Sequence, residues 1–133
     1  MAKPEKGALG NAVDGGRARS SCPIASTLDI VGDKWSLVLV RDLLTGKQRF
    51  NQFCASPEGV PTNLLAARLR RLEAQGIVVK EPYQTGPVRY AYKLTPAGRA
   101  LLPVLQEMSR WANTYIEGTW AAPETFMSMK AKV

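Results

Sequence analysis

Gly59-Val60-Pro61-Thr62-Asn63-Leu64-Leu65-Ala66-Ala67-Arg68-Leu69-Arg70-Arg71-Leu72-Glu73-Ala74-Gln75-Gly76 is the stretch from which the rest of the chain can be read. It predicts one helix over residues 61–75. Proline is tolerated in a first turn and threonine can cap, so Pro61 and Thr62 can open it. Gly76 can close it in the left-handed region. At about 100° per residue, Leu65, Leu69 and Leu72 share one face. Asn63, Ala67 and Arg70 fall opposite, flanked by Thr62, Ala66 and Arg71. Small residues allow a close backbone approach. Asn and Arg supply the bidentate hydrogen bonds that read adenine and guanine edges. The pattern suits a recognition helix in a DNA major groove; it also suits a surface helix with a solvated basic side.

Charge favours the first of these. The 133-residue chain has a net charge of +7, and residues 34–99 carry eleven basic side chains against four acidic. The flanks are balanced, so the excess surrounds the helix and points to a polyanionic partner. There is no histidine, which excludes Ser-His-Asp and Cys-His catalysis and His-ligated metals. Two cysteines, Cys22 and Cys54, make neither a zinc site alone nor a secreted disulfide scaffold. No carboxylate pair or phosphate loop supports an enzyme, and no cofactor is expected. The longest apolar run is six residues, 100–105, against the roughly 18 of a membrane span. The N-terminus lacks an apolar signal core, so a cytoplasmic, nucleoid-associated protein is expected.

Outward from the key helix, Phe50 to Ala55 predicts a short helix with Phe50 and Phe53 as inward anchors, and Ser56-Pro57-Glu58-Gly59 a turn. Short helix, turn and longer helix form a helix-turn-helix. Lys47 and Arg49 precede it, where turn residues commonly contact phosphate, though a solvated turn reads equally well. A nearly all-apolar core helix over 34–45, capped by Asp33, and a first helix over 22–31, with Ile24, Leu28 and Val31 on one face, come before. Trp35 is read as core. After Gly76 the period changes to two: strands over 77–81 and 88–94 flank a Gln84-Thr85-Gly86-Pro87 turn. This hairpin is a wing over 77–94, with Arg89 beside its tip and Tyr90 and Tyr92 as packing residues.

Thr95-Pro96 starts a last helix over 96–118, kinked at Pro103. Leu101, Leu105, Met108, Ala112 and Tyr115, widened by Trp111, form a narrow seam on it. No other helix of similar length covers this seam, so a homodimer is expected through it, aided by residues 22–31. Residues 1–20 read as a disordered arm and 119–133 as a tail that packs on a partner or is partly disordered. The fold class is mainly α with a small β-hairpin: a winged helix-turn-helix domain over 21–118 with N- and C-terminal dimerisation helices.

Several of these stretches together resemble the HxlR-type regulators. They are Cys22-Pro23 followed by Leu28-Asp29-Ile30-Val31-Gly32-Asp33-Lys34-Trp35; Arg49-Phe50-Asn51; Leu65 to Leu72; Gly76-Ile77-Val78; Tyr92-Lys93-Leu94-Thr95-Pro96-Ala97-Gly98; and Trp111. The resemblance spans residues 22–118. It implies a bacterial transcription factor, dimeric through its first and last helices, on an inverted-repeat operator in double-stranded DNA. It also implies a response to small electrophiles or oxidants, in some members through a cysteine at the position of Cys22. Cys22 precedes Pro23 at a helix N-terminus, where a thiolate is favoured, with Arg17 and Arg19 nearby in sequence. The other reading of Cys22 is a small apolar residue sealing the helix. The alternative to the whole is a winged-helix module for protein or RNA without sequence-specific DNA readout. On the regulator reading the DNA contacts are Thr62, Asn63, Ala66, Ala67, Arg70, Arg71, Lys47, Arg49 and Arg89. Arg68 lies nearer the leucine face and can instead bind the protein's own carboxylates.

Overall fold

The computed structural model describes residues 19–131. The element order is α1 (Pro23–Val31), α2 (Ser36–Leu44), α3 (Phe50–Cys54), α4 (Thr62–Ala74), β1 (Val78–Gln84), β2 (Arg89–Leu94), α5 (Pro96–Arg99), α6 (Leu102–Tyr115) and α7 (Glu124–Met127). Most of residues 1–20, expected to be a disordered arm, lies outside the described residues. Among the described residues no helix is long and apolar enough to cross a membrane.

The leucine face of α4 is the centre of the core. Leu65, Leu69 and Leu72 are almost fully buried together with Leu39 and Val40 of α2 and Phe53 of α3. α4 closes as its sequence predicts. Gly76 has φ +79°, its N–H donates to Glu73 O at 3.1 Å, and the N–H of Ile77 donates to Leu72 O at 2.9 Å. This is the two-bond C-terminal motif that glycine allows, sealed here by the buried pair Leu72 and Ile77. Its start differs slightly: Pro61 takes the cap position and Thr62 is the first helical residue, without a side-chain cap.

The wing is an antiparallel pair in which Val78 faces Leu94 and Lys80 faces Tyr92. β1 runs through Pro82 and Tyr83 to Gln84, further than the sequence suggested. The N–H of Tyr92 donates to Gln48 O at 2.7 Å, and its ring meets that of Phe53 edge-on at 6.1 Å. Both contacts lock the wing to the helix-turn-helix.

Thr95 joins the wing to the C-terminal helices. Its hydroxyl caps α5 by accepting from Gly98 N at 3.1 Å and donates to Gly76 O at 2.6 Å. Gly98 is required by close approach, since a Cβ there would lie 2.4 Å from Ile77 O. The Leu-Thr-Pro-x-Gly run is thus the bolt between the end of α4 and the start of α5.

Three expectations need correction. The core helix begins at Ser36, not 34, because the Asp33 carboxylate accepts from the N–H groups of both Trp35 and Ser36 and holds residues 33–35 as a turn. Phe50, at the first position of α3, is half-exposed, and only Phe53 is an inward anchor. On α1, whose shared face needs no correction, Ile24 and Leu28 are exposed and Val31 is buried. The last helix is two helices, not one kinked one. A proline at 103 inside a continuous helix would meet the carbonyl of Arg99 and leave it unbonded. The chain therefore stops at Arg99 and restarts at Leu102, which puts Pro103 in a first turn, where no N–H is needed.

The tail folds back on its own domain. Phe126 joins the core. The buried Gln106 side chain of α6 donates to the carbonyls of Phe126 (3.0 Å), Met127 (3.3 Å) and Met129 (3.0 Å). Asn113 holds the preceding residues through Trp120 O at 2.7 Å and Ala122 N at 3.0 Å. Residues 119–131 form a strap rather than a loose end. Trp120 stays 79% exposed.

Candidate nucleic-acid interface

α3, the turn through Gly59 and α4 form the helix-turn-helix, and the turn is tied down by a charged network. Asp42 of α2 is buried, and its carboxylate accepts from Ser56 Oγ. Arg41 donates to Asp42 Oδ1 and, with both terminal nitrogens, to Glu58 at 2.7 and 2.8 Å. Lys47 Nζ donates to Ser56 Oγ at 2.8 Å and lies 3.8 Å from Asp42. Arg41 holds the Glu58 carboxyl below its ordinary range through these hydrogen bonds. The network fixes the turn, and hence the angle at which α4 leaves it. Sequence reasoning missed it because its members are 14 and 17 residues apart.

Geometry divides the eleven cations of residues 34–99 into two sets. One set is tied to the protein's own acceptors: Arg41 and Lys47 as above, Arg68 with Nε 3.2 Å from Asp33 Oδ2 as an ion pair outside hydrogen-bond alignment, Arg71 with Nη2 2.9 Å from Asp29 O, Lys93 with Glu81 at 3.0 Å, and Arg99 with Leu94 O at 2.8 Å. The other set makes no ion pair among the described residues: Lys34, Arg49, Arg70, Lys80 and Arg89. Three of these lie over aromatic rings: Lys34 over Trp35 at 5.1 Å, Arg49 over Tyr83 at 4.2 Å and Lys80 over Tyr90 at 4.7 Å.

The expected contacts sort accordingly. Thr62, Asn63 and Arg70 are exposed on α4, with Ala66 and Ala67 half-buried between them and the core. Arg49 and Arg89 are exposed at the helix-turn-helix loop and the wing. Arg71 and Lys47 are spent inside the protein: Arg71 ties α4 to the end of α1, and Lys47 belongs to the turn network. Arg68 binds the protein's own carboxylate, as its position near the leucine face suggested. Lys80 and Tyr83 were not singled out by sequence. Their places on β1, with Tyr83 at the irregularity between Pro82 and Gln84 under Arg49 and Lys80 over Tyr90, emerge only once the register is known.

The seam on α6 moves by one residue. Leu105 is 7% exposed and part of the core, and Leu101 is half-buried against it. Both are covered within the chain. The exposed apolar stripe is Val104, Met108 (51%), Trp111 (60%) and Tyr115 (71%), with Ala112 half-buried at its edge. The Trp111 and Tyr115 rings lie 5.7 Å apart.

Cys22 is exposed and stands at the N-cap position of α1, without a side-chain cap hydrogen bond. The backbone N–H groups of Ala25 and then Ile24 stabilise its thiolate and lower its pKa from the ordinary value. Arg19 takes no part in this, since its Nε is 2.6 Å from Asp29 Oδ1 and its Nη2 3.4 Å from Ala25 O. Arg17 lies outside the described residues. Cys54 is half-buried beside Phe53.

A tri-helical core, a helix-turn-helix and a hairpin carrying exposed cations define a winged helix-turn-helix protein. A family model described as HxlR-like helix-turn-helix matches residues 30–119. The chain belongs to this family and is a transcriptional regulator of the helix-turn-helix type, not an enzyme. The HTH-type transcriptional regulator YdeP of Bacillus subtilis is 39% identical over 94 residues, 71% of this chain and 73% of YdeP. The crystal structure of PA1607, a putative transcription factor, is 42% identical, with a TM-score of 0.68 over 80% of this chain and 70% of that one. The redox regulator HypR in its reduced form is 36% identical, with a TM-score of 0.67 over 72% of this chain and 95% of that one.

Proposed function

We propose that this protein is a sequence-specific repressor that binds an inverted-repeat operator as a homodimer and responds to a small electrophile or oxidant. One observation carries the DNA reading: Arg49 and Arg70 of the helix-turn-helix and Lys80 and Arg89 of the wing make no ion pair among the described residues, and Thr62 and Asn63 of α4 are exposed. Arg70 and Asn63 read base edges in the major groove. Arg49, Lys80 and Arg89 bind phosphate and fix the register. Ala66 and Ala67 let α4 sit deep in the groove.

The exposed stripe Val104–Met108–Trp111–Tyr115 supports the dimer, since four adjacent apolar side chains on one helix are seldom left to water. Ile24 and Leu28 of α1, the other helix expected to take part, are exposed as well. A two-fold axis through α6 would set two α4 helices about 34 Å apart, on successive major grooves.

Cys22 is the proposed sensor. Its thiolate attacks a quinone carbon, forming a C–S bond while the ring takes up the proton. Alternatively it forms a disulfide with a second thiol, and two electrons pass to the oxidant. Either change at the start of α1 alters packing beside Ile24 and Leu28 and resets the spacing of the two α4 helices. A coupling of about 1–3 kcal/mol changes operator affinity about 5- to 150-fold. The likeness to the redox regulator HypR supports this reading.

The test is to sequence the DNA fragments that the purified protein retains from a random pool, with and without diamide. An enriched inverted repeat, lost on oxidation of the native protein but not of Cys22→Ser, is expected. Retention without enrichment would overturn the sequence-specific reading, and an identical response of the two proteins would return Cys22 to a structural role.

A further inference from the structure

Lys34 is exposed and makes no ion pair among the described residues, yet the proposed DNA contacts leave it without a task. It stands in the turn between α1 and α2. The acid beside it is occupied. Asp33 accepts from the N–H groups of Trp35 and Ser36 at 3.0 Å each and from the Ser36 hydroxyl, and it faces Arg68 of α4 with Nε 3.2 Å away. Lys34 Nζ instead lies 5.1 Å from the centroid of the Trp35 ring, and that ring packs against the core. An aromatic face restrains an ammonium group without neutralising it. The Asp33–Arg68 pair also fixes the whole turn against one flank of α4.

We propose that Lys34 binds a backbone phosphate on the strand across the major groove from the one held by Arg49 and the wing. The spacing supports this. Lys34 precedes α2 and Arg49 follows it, and the 9 residues of α2 span about 13 Å. A major groove is about 12 Å wide. The far end of α2 belongs to the wing: the N–H of Tyr92 donates to Gln48 O, and Arg49 lies over Tyr83. The near end belongs to α4 through Asp33 and Arg68. Leu39 and Val40 between these ends share the core with Leu65 and Leu69 of α4. The two cations are thus held at the two ends of one short helix behind α4. Phosphate contacts on one wall alone leave a helix free to roll in the groove. A contact on each wall fixes its register and depth. The assignment rests on the reading of this protein as a DNA-binding regulator and adds to it the second wall.

The experiment binds the full-length protein to a mixed-sequence duplex, and to a duplex selected from the random pool, at several salt concentrations. Lys34→Met keeps the stem on Trp35 and removes the charge, and it should melt within about 2 °C of the native protein. It should weaken both duplexes and lower the salt slope by about one per half-site. Its deficit per half-site should therefore shrink about three- to fourfold between roughly 50 and 200 mM salt. Lys34→Arg, which keeps the charge, should restore the slope. On the selected duplex, single phosphates are then replaced by neutral methylphosphonates. A replacement that weakens the native protein but not Lys34→Met marks the phosphate that Lys34 holds. Within a half-site it should lie on the opposite strand from the phosphate marked in the same way by Arg49→Ala. An unchanged salt slope in Lys34→Met, or marked phosphates on the same strand for both variants, would overturn the proposal and leave the DNA reading standing. A native protein without salt-dependent binding to either duplex would overturn both. A pool that yields no enriched sequence would remove the operator reading alone, since the slope on the mixed-sequence duplex still decides the role of Lys34.

Discussion

Arg70 and Arg71 are neighbours with the same charge, and the structure assigns them opposite tasks. Arg70 is exposed and makes no ion pair among the described residues. Arg71 is half-buried, with Nη2 2.9 Å from the carbonyl of Asp29, and ties α4 to the end of α1. A part-buried hydrogen bond to a charged group contributes about 1.5–3 kcal/mol. For a domain of this size each kcal/mol moves the melting temperature by about 3–6 °C. Arg71→Ala should therefore lower Tm by about 5–15 °C at fixed protein concentration, measured by circular dichroism. Well below its melting point it should bind operator nearly as well as the native protein. Arg70→Ala should leave Tm within about 2 °C, as exposed substitutions do. It should lose about 1–3 kcal/mol of operator binding, 5- to 150-fold, and relax the base preference at one position per half-site. The discriminating assay is fluorescence anisotropy on operator and on random duplex, beside the melts. Equal losses on both DNAs for Arg70→Ala, or an unchanged Tm for Arg71→Ala, would refute the division.

Other substitutions test the remaining parts. Tyr83→Ala should weaken all duplexes to the level of Arg49→Ala, and the double variant should be no worse than either, because the ring under Arg49 only orients it; additive losses in the same anisotropy assay would separate the two residues. Arg89→Ala should lower affinity for every sequence alike and reduce the salt slope by about one. Met108→Asp with Trp111→Glu should give monomers in light scattering at micromolar concentration, where the native chain is expected to be a dimer. Acid should weaken the turn. Glu58, held down chiefly by its hydrogen bonds to Arg41, has a folded pKa below its ordinary 4.5. A depressed carboxylate contributes its stability above the unfolded value and loses it as pH falls through the folded one. Tm should therefore drop below about pH 4.5, and Arg41→Met should flatten that part of the profile.

The parts of the fold that follow local rules were legible in the sequence. The leucine spacing of α4, the glycine that ends it, the period-two wing and the Thr95-Pro96 start each depend on residues within a turn or two. What escaped depends on distant partners. Arg71 looks like a groove residue until Asp29, 42 positions away, is seen to take its proton donor. Lys47 looks like a phosphate contact until Asp42 and Ser56 close around it. The seam was misplaced at its N-terminal end because periodicity alone does not tell a face packed on the protein's own core from a face left open: Leu102 and Leu105 are buried in the core, while Val104, Met108, Trp111 and Tyr115 are exposed. The strap was illegible because its anchor is the buried amide of Gln106, 20 or more residues away.

The central claim is that two α4 helices, fixed by one dimer, read two half-sites on the same side of the duplex. It is tested most directly by inserting five base pairs, about half a helical turn, between the half-sites of a selected operator and measuring affinity. A rigid dimer cannot follow half-sites rotated to opposite faces, so binding should fall to the level of a single half-site. Unchanged affinity for the lengthened operator would mean that the subunits bind independently, and would contradict the claim.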